Sequence, residues 1–108
     1  MNAPSLRLRA EAAQDVDDAL AHYLESSDTN TAALGFIDAL ETAYAHIRRQ
    51  PGTGMPRYGH ELEIPGLRCW FLTRYPYAVF YFEQDSGVIE VWRVLHTHAN
   101  IPDWLRPA

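Results

Sequence analysis

The chain contains no lysine: its nine cations are all arginines, set against fourteen acids for a formal net charge of −5. A surface built to hold nucleic acid needs clustered cations to displace counterions, so this balance argues against one and no sequence-specific nucleic-acid binding is expected. The cations present do offer the planar, bidentate fork of a guanidinium. Cys69 is the one cysteine, between Arg68 and Trp70 in an apolar run, which excludes an intramolecular disulfide and reads as a buried free thiol. No apolar run approaches the ~20 residues that cross a bilayer. The opening Met1-Asn2-Ala3-Pro4-Ser5 leads into a short alternating segment rather than a signal-peptide core, so a cytoplasmic protein with no membrane partner is expected. Internal repeats and low-complexity segments are also missing. A length of 108 residues at 47% hydrophobic content suits one compact domain, 1–108, with one core.

What is present begins with an uneven charge distribution. From Ala10 to Ala45 every charge is acidic (Glu11, Asp15, Asp17, Asp18, Glu25, Asp28, Asp38, Glu41), whereas from His46 onward arginines slightly outnumber acids. Leu6-Arg7-Leu8-Arg9 alternates with the period of a strand. Ala13, Val16, Leu20, Tyr23, Leu24 and Ser27 then recur at three- and four-residue steps, predicting an amphipathic helix over about Ala10 to Ser26. The polar break Ser26 to Asn30 supplies caps for a second helix with the stripe Ala33, Phe36, Ile37, Leu40, Tyr44, Ile47, and so short a turn makes an antiparallel hairpin. Pro51 ends it, and Pro51 to Pro56 reads as a loop. Strands are expected at His60–Ile64, as a short edge strand, then Leu67–Thr73, Tyr77–Glu83 and Val88–Leu95, the last two joined by a tight Gln84-Asp85-Ser86-Gly87 hairpin. A short helical turn follows over Ile101–Leu105.

The order β-α-α-β-β-β-β implies an α+β, two-layer sandwich in which the helical hairpin covers one face of an antiparallel sheet. The other face is then exposed or given to a partner. In the last strand Ile89, Val91, Arg93 and Leu95 alternate with Val88, Glu90, Trp92 and Val94, so neither face is cleanly polar; a bulge or a covering partner resolves this. The strand ends in Arg93, His96 and His98, which a strand that only fills a core does not need. The bland readings are cross-strand pairing of Arg68 and Arg93 with Glu61, Glu63 or Glu90, and a hydrogen-bonded structural His96. His96 and His98 lack a third ligand, so no metal is expected, and no cofactor. Trp70, Trp92 and Trp104, with Tyr75, Tyr77 and Tyr81, read as core or interface area rather than base-stacking platforms.

Gly66-Leu67-Arg68, Tyr77-Ala78-Val79-Phe80-Tyr81 and Arg93-Val94-Leu95-His96, in that order and spacing, resemble the RelE/ParE toxins of type II toxin-antitoxin systems. Ala10 to Val16 resembles the family's opening of the first helix, and Pro51-Gly52-Thr53-Gly54 its loop after the second. The resemblance covers nearly the whole chain and implies a strand, a helical hairpin and an antiparallel sheet, with the first strand beside the last. It also implies one of two mechanisms. RelE-like members cut mRNA in the ribosome and need cations for phosphate with an acid or base; the candidates here are Arg68, Arg93 and His96. ParE-like members bind DNA gyrase and need a docking surface, and no catalytic residue is then expected.

The Val-Leu-His ending and the acidic balance are similar to the ParE branch, so a gyrase-directed toxin held by a cognate ParD-like antitoxin is the favoured reading. Asp15, Asp18, His22, Arg68, Arg93, His96 and Trp104 are the expected target- or antitoxin-binding residues. Asn100 stands where an acidic residue is common in the family, and the RNases' lysine-rich loop has no counterpart beyond Arg48, Arg49 and Arg57. A non-toxic relative that only binds antitoxin is the further alternative.

Overall fold

The computed structural model describes residues 5–26 and 29–105. Strand β1 (Leu6–Leu8) leads into helices α1 (Ala10–Glu25) and α2 (Thr31–Arg49). A 3-10 turn over Pro51–Thr53 and the short helix α3 (Arg57–Glu61) follow. Strands β2 (Arg68–Phe71), β3 (Tyr77–Glu83) and β4 (Ile89–His96) and helix α4 (Ile101–Leu105) complete the fold. No helix among the described residues is long and apolar enough to cross a membrane.

The helices form where apolar side chains recur on one side. In α2 the buried residues are Ala33, Phe36, Leu40, Ala43 and Ile47, near the expected stripe. In α1 the stripe is rotated from the expected one: Ala12 and Ala19 are buried, Val16, Leu20 and Tyr23 pack beside them, and Leu24 is half exposed. Of the break expected to cap α2, Ser27 and Asp28 lie outside the described residues, and Asn30 holds the N-cap position without a side-chain cap bond.

The sheet order is β1-β4-β3-β2. The two hairpin pairings are antiparallel, but β1 lies parallel to β4, Leu6 opposite Ile89 and Leu8 opposite Val91, so the sheet is mixed rather than antiparallel throughout. Between β3 and β4 the register slips: Phe80 faces Arg93 and Tyr81 faces Val91, leaving Trp92 as the extra residue of a bulge. This slip accounts for the unclean alternation of the last strand. Ile89, Val91 and Val94 reach the core under the helices, together with Phe36, Leu40 and Ile47, while Trp92 and Leu95 go to the other side. Burying each large side chain there contributes roughly 1.5–3 kcal/mol.

That second side is covered by the chain itself. Leu67, Cys69, Ala78, Phe80 and Leu95 pack with Ile101 and Leu105 of α4, and Tyr58, Leu62 and Ile64 close over them. The expected edge strand at His60–Ile64 is therefore wrong: the segment opens inside α3. An Arg57–Glu61 pair at 3.0 Å spans one helical turn, and Glu63 at φ 55° then reverses the chain. Leu62 and Ile64 thereby share one side without extended backbone. Gly59 permits the approach, since a Cβ there would meet the Leu67 carbonyl oxygen at 2.6 Å.

Burial has a pH consequence. Desolvation pushes the Cys69 thiol from 9.0 up to about 11, and the Tyr44 hydroxyl, buried with no hydrogen-bond partner among the described residues, from 10.0 up to about 12. Both groups fold in the neutral form, so the stability they hold is complete below the unfolded thiol's range near 9 and is lost as pH rises through about 11 and 12. Urea melts should show stability falling above pH 9 by up to about 1.4 kcal/mol per pH unit for each such group. Cys69→Ala should flatten the curve between pH 9 and 10; an unchanged slope would remove the thiol as its cause.

Candidate functional site

Strand β1 is only three residues long, and its partnership with β4 ends where the Arg9 N–H donates to the Val91 carbonyl at 3.0 Å. Beyond that point β4 has a bare edge, and α1 crosses it. Asp15 fills the vacancy: its Oδ2 accepts from the Val94 N–H at 3.0 Å and from Arg93 Nε at 2.7 Å, and its Oδ1 accepts from Arg93 Nη2 at 2.6 Å. The carboxylate thus satisfies a strand edge and binds a guanidinium fork at once. Side-chain exposures of 16% for Arg93 and 12% for Asp15 keep the pair largely dry. The hydrogen bond to Asp15 raises the Arg93 pKa above its ordinary value against some desolvation, so the guanidinium stays charged throughout the accessible range.

Arg93 also positions the last helix. Its Nη1 donates to the Trp104 carbonyl at 3.3 Å, and its Cζ lies 5.2 Å from the centre of the Trp104 ring. Asn100 immediately precedes α4; its carbonyl accepts from the N–H groups of Asp103 and Trp104, and its Nδ2 donates to Asp103 Oδ2 at 2.8 Å. Asn100 therefore serves the start of this helix, a role that its departure from the family pattern did not reveal. Trp104 remains 55% exposed.

Between α1, the end of β4 and α4 lies an open groove of about 400 Å³. It collects Asp15, Asp18, His22, Arg93, His96 and Trp104, six of the seven expected binding residues, together with Tyr77, Val94, Leu95 and Ala99. Asp18 accepts from Gln14 Nε2 at 2.9 Å, and His22 meets Tyr23 edge-on. His96 Nδ1 accepts from the His98 N–H at 3.1 Å, and its ring stands edge-on to Tyr77 at 5.1 Å. Arg68 is elsewhere. Its Nη1 donates to the Gly54 carbonyl at 2.8 Å, and it borders a small cleft with His60 and Gly66. Neither arginine makes the cross-strand pair that β-sheet reasoning suggested; Glu90 is taken by Arg7 at 3.2 Å, because β1 lies beside β4.

A second groove, of about 410 Å³, runs between α2 and β2, lined by Asp38, Thr42, Trp70, Phe71, Arg74 and Tyr75 among others. Its one sequence signal is Gly35 inside a helix. The Tyr75 ring lies where a Cβ on Gly35 would be, and the Tyr75 hydroxyl donates to the Ala32 carbonyl at 3.0 Å.

Chemically, the first groove is amphipathic. One aromatic wall faces solvent, its arginine is spent on an internal carboxylate, and exposed Asp18 shares the lining with His22 and His96. Residues 6–101 match the family model described as ParE toxin of type II toxin-antitoxin system, parDE. Among solved structures, a chain of the chromosomal ParDE TA system from P. aeruginosa superimposes with a TM-score of 0.71 at 23% sequence identity, covering 88% of this chain and 97% of that one. At that identity the likeness is one of fold. No curated protein matches the chain.

Proposed function

The chain belongs to the ParE toxin family of type II toxin-antitoxin systems, and on that premise we propose that it inhibits DNA gyrase in the cytoplasm and is neutralised by a cognate ParD-like antitoxin. The observation that carries the docking reading is the Asp15–Arg93 pair. An RNase would need a cation free to hold a phosphate beside His96, but Arg93 is neutralised at 2.6 and 2.7 Å and Arg68 is bound to the Gly54 carbonyl. What the groove offers instead is area: the exposed face of Trp104 and a lining that includes exposed Asp18 and His22. Such a surface suits an antitoxin segment with an apolar anchor and a cation directed at Asp18. The same groove serves the target when the antitoxin leaves.

A supercoiling assay with purified gyrase tests the reading. Inhibition, or trapping of cleaved DNA, is the expected result. Intact gyrase activity together with cleaved message in a translating extract would transfer the chain to the RNase mechanism, and intact growth on induced expression without antitoxin would leave an antitoxin-binding module. His96→Ala separates the two toxic mechanisms on one variant. Gyrase inhibition should survive, weakened by no more than about tenfold, as for one contact among several in an interface. Loss of message cleavage by ~100-fold or more would instead mark a general acid or base.

A further inference from the structure

We propose that the second groove, between α2 and β2, is the self-association surface of this chain, closed by a second copy related by a two-fold axis. Three observations meet there. First, the loop after β2 is clamped: the Tyr75 ring lies over Gly35 and its hydroxyl is anchored on Ala32, so the residue before it, Arg74, is held at φ 72°, a left-handed conformation that side chains other than glycine rarely adopt. Second, Arg74 and Asp38 line the same groove, both are exposed, and neither makes an ion pair or side-chain hydrogen bond among the described residues. Third, the groove borders apolar area that the fold leaves uncovered: Phe71 is 45% exposed on the edge strand, and Leu34, one helical turn before Asp38, is 59% exposed.

A second copy is the occupant these features select. A groove carrying one unpaired cation and one unpaired anion is self-complementary under a two-fold operation, because Arg74 of each copy meets Asp38 of the other. A purely cationic or purely anionic partner would leave one of the two charges unmatched. Exposed ion pairs contribute little affinity, so Phe71 and Leu34 supply the association while the charges set its orientation. Continuous strand pairing between copies is blocked, since Met55 already occupies the outer edge of β2 at Cys69, with bonds of 2.8 and 3.0 Å. The contact is therefore made by side chains across the groove. It leaves the α1–β4–α4 groove open.

Charge reversal tests this on the full chain. Sedimentation equilibrium should give a dimer at high micromolar concentration, and Asp38→Arg or Arg74→Glu alone should weaken it by at least about tenfold, as like charges then face one another. An equimolar mixture of the two variants should recover the dimer, because each then supplies the sign that the other lacks. Circular dichroism of each variant checks that the exposed substitutions leave the fold intact. A monomer at all concentrations overturns the proposal, as does a dimer indifferent to both reversals or a mixture no stronger than its components. Loss of antitoxin binding by the reversed variants of a monomeric chain would overturn it too, by assigning the groove to the antitoxin.

Discussion

Asp15→Ala is expected to lower stability by about 2–4 kcal/mol. The residue at stake looks like one more acid on an acidic helix, yet its carboxylate accepts three hydrogen bonds, two from Arg93 and one from the Val94 N–H. Removing it strands a guanidinium that is 16% exposed, and reopens the edge of β4 where β1 has already ended. The expected value lies below that of a fully buried pair because both side chains keep some contact with water. Arg93→Ala should cost somewhat less than Asp15→Ala, since the carboxylate would keep the Val94 N–H. The double variant should be less destabilised than the sum of the two singles, as the coupling of a shared pair requires. Urea unfolding of the three variants gives the cycle. A loss below about 0.5 kcal/mol for Asp15→Ala would reduce the pair to a surface contact.

That pair also shows where reading the sequence stops. Local patterns carry the elements well: the Leu6-Arg7-Leu8 alternation marks β1, the stripe of Phe36, Leu40 and Ile47 marks α2, and the aromatic and β-branched run Tyr77–Glu83 marks β3. Each depends on neighbours a few residues apart, which a sequence displays directly. Trp92 is different. A period of two says which residues share a face, but not where the period slips, and the bulge moves Val94 to the opposite side from the one that strict alternation would assign. His60–Ile64 failed for a related reason, because Leu62 and Ile64 share a side through the left-handed Glu63 rather than through extended backbone.

The candidate site was half legible. Charge and the family resemblance single out seven residues, of which six line one groove. Their roles were not legible, because Asp15 and Arg93 are 78 residues apart and only the crossing of α1 over the unpaired end of β4 makes one neutralise the other. The second groove was missed altogether. Gly35 and Tyr75 are ordinary residues until a chain reversal lays one over the other.

Trp104→Ala should weaken antitoxin binding by about 30- to 1,000-fold, or roughly 2–4 kcal/mol, while leaving the free chain nearly as stable as before. The separation between the two effects follows from how α4 is built. Its anchors are Ile101 and Leu105, both buried in the second core, and its first turn is fastened by the Asn100 carbonyl and side chain. Trp104 projects the other way, 55% exposed, with Arg93 5.2 Å from its ring centre. A large aromatic held in place before the partner arrives loses little conformational freedom on binding, so most of its burial is available as affinity. Arg93 contributes only by positioning, since its charge is already matched by Asp15. Trp104→Phe should therefore restore most of the binding, whereas Asp18→Ala, which removes a rim charge, should change it by less than about tenfold and mainly through the association rate. Isothermal titration of the antitoxin into each variant, with a thermal melt of the free chain beside it, reads both quantities. A Trp104→Ala chain that binds as tightly as the parent would remove the α1–β4–α4 groove as the antitoxin's seat, and a fall in melting temperature matching that of Asp15→Ala would make Trp104 a structural residue instead.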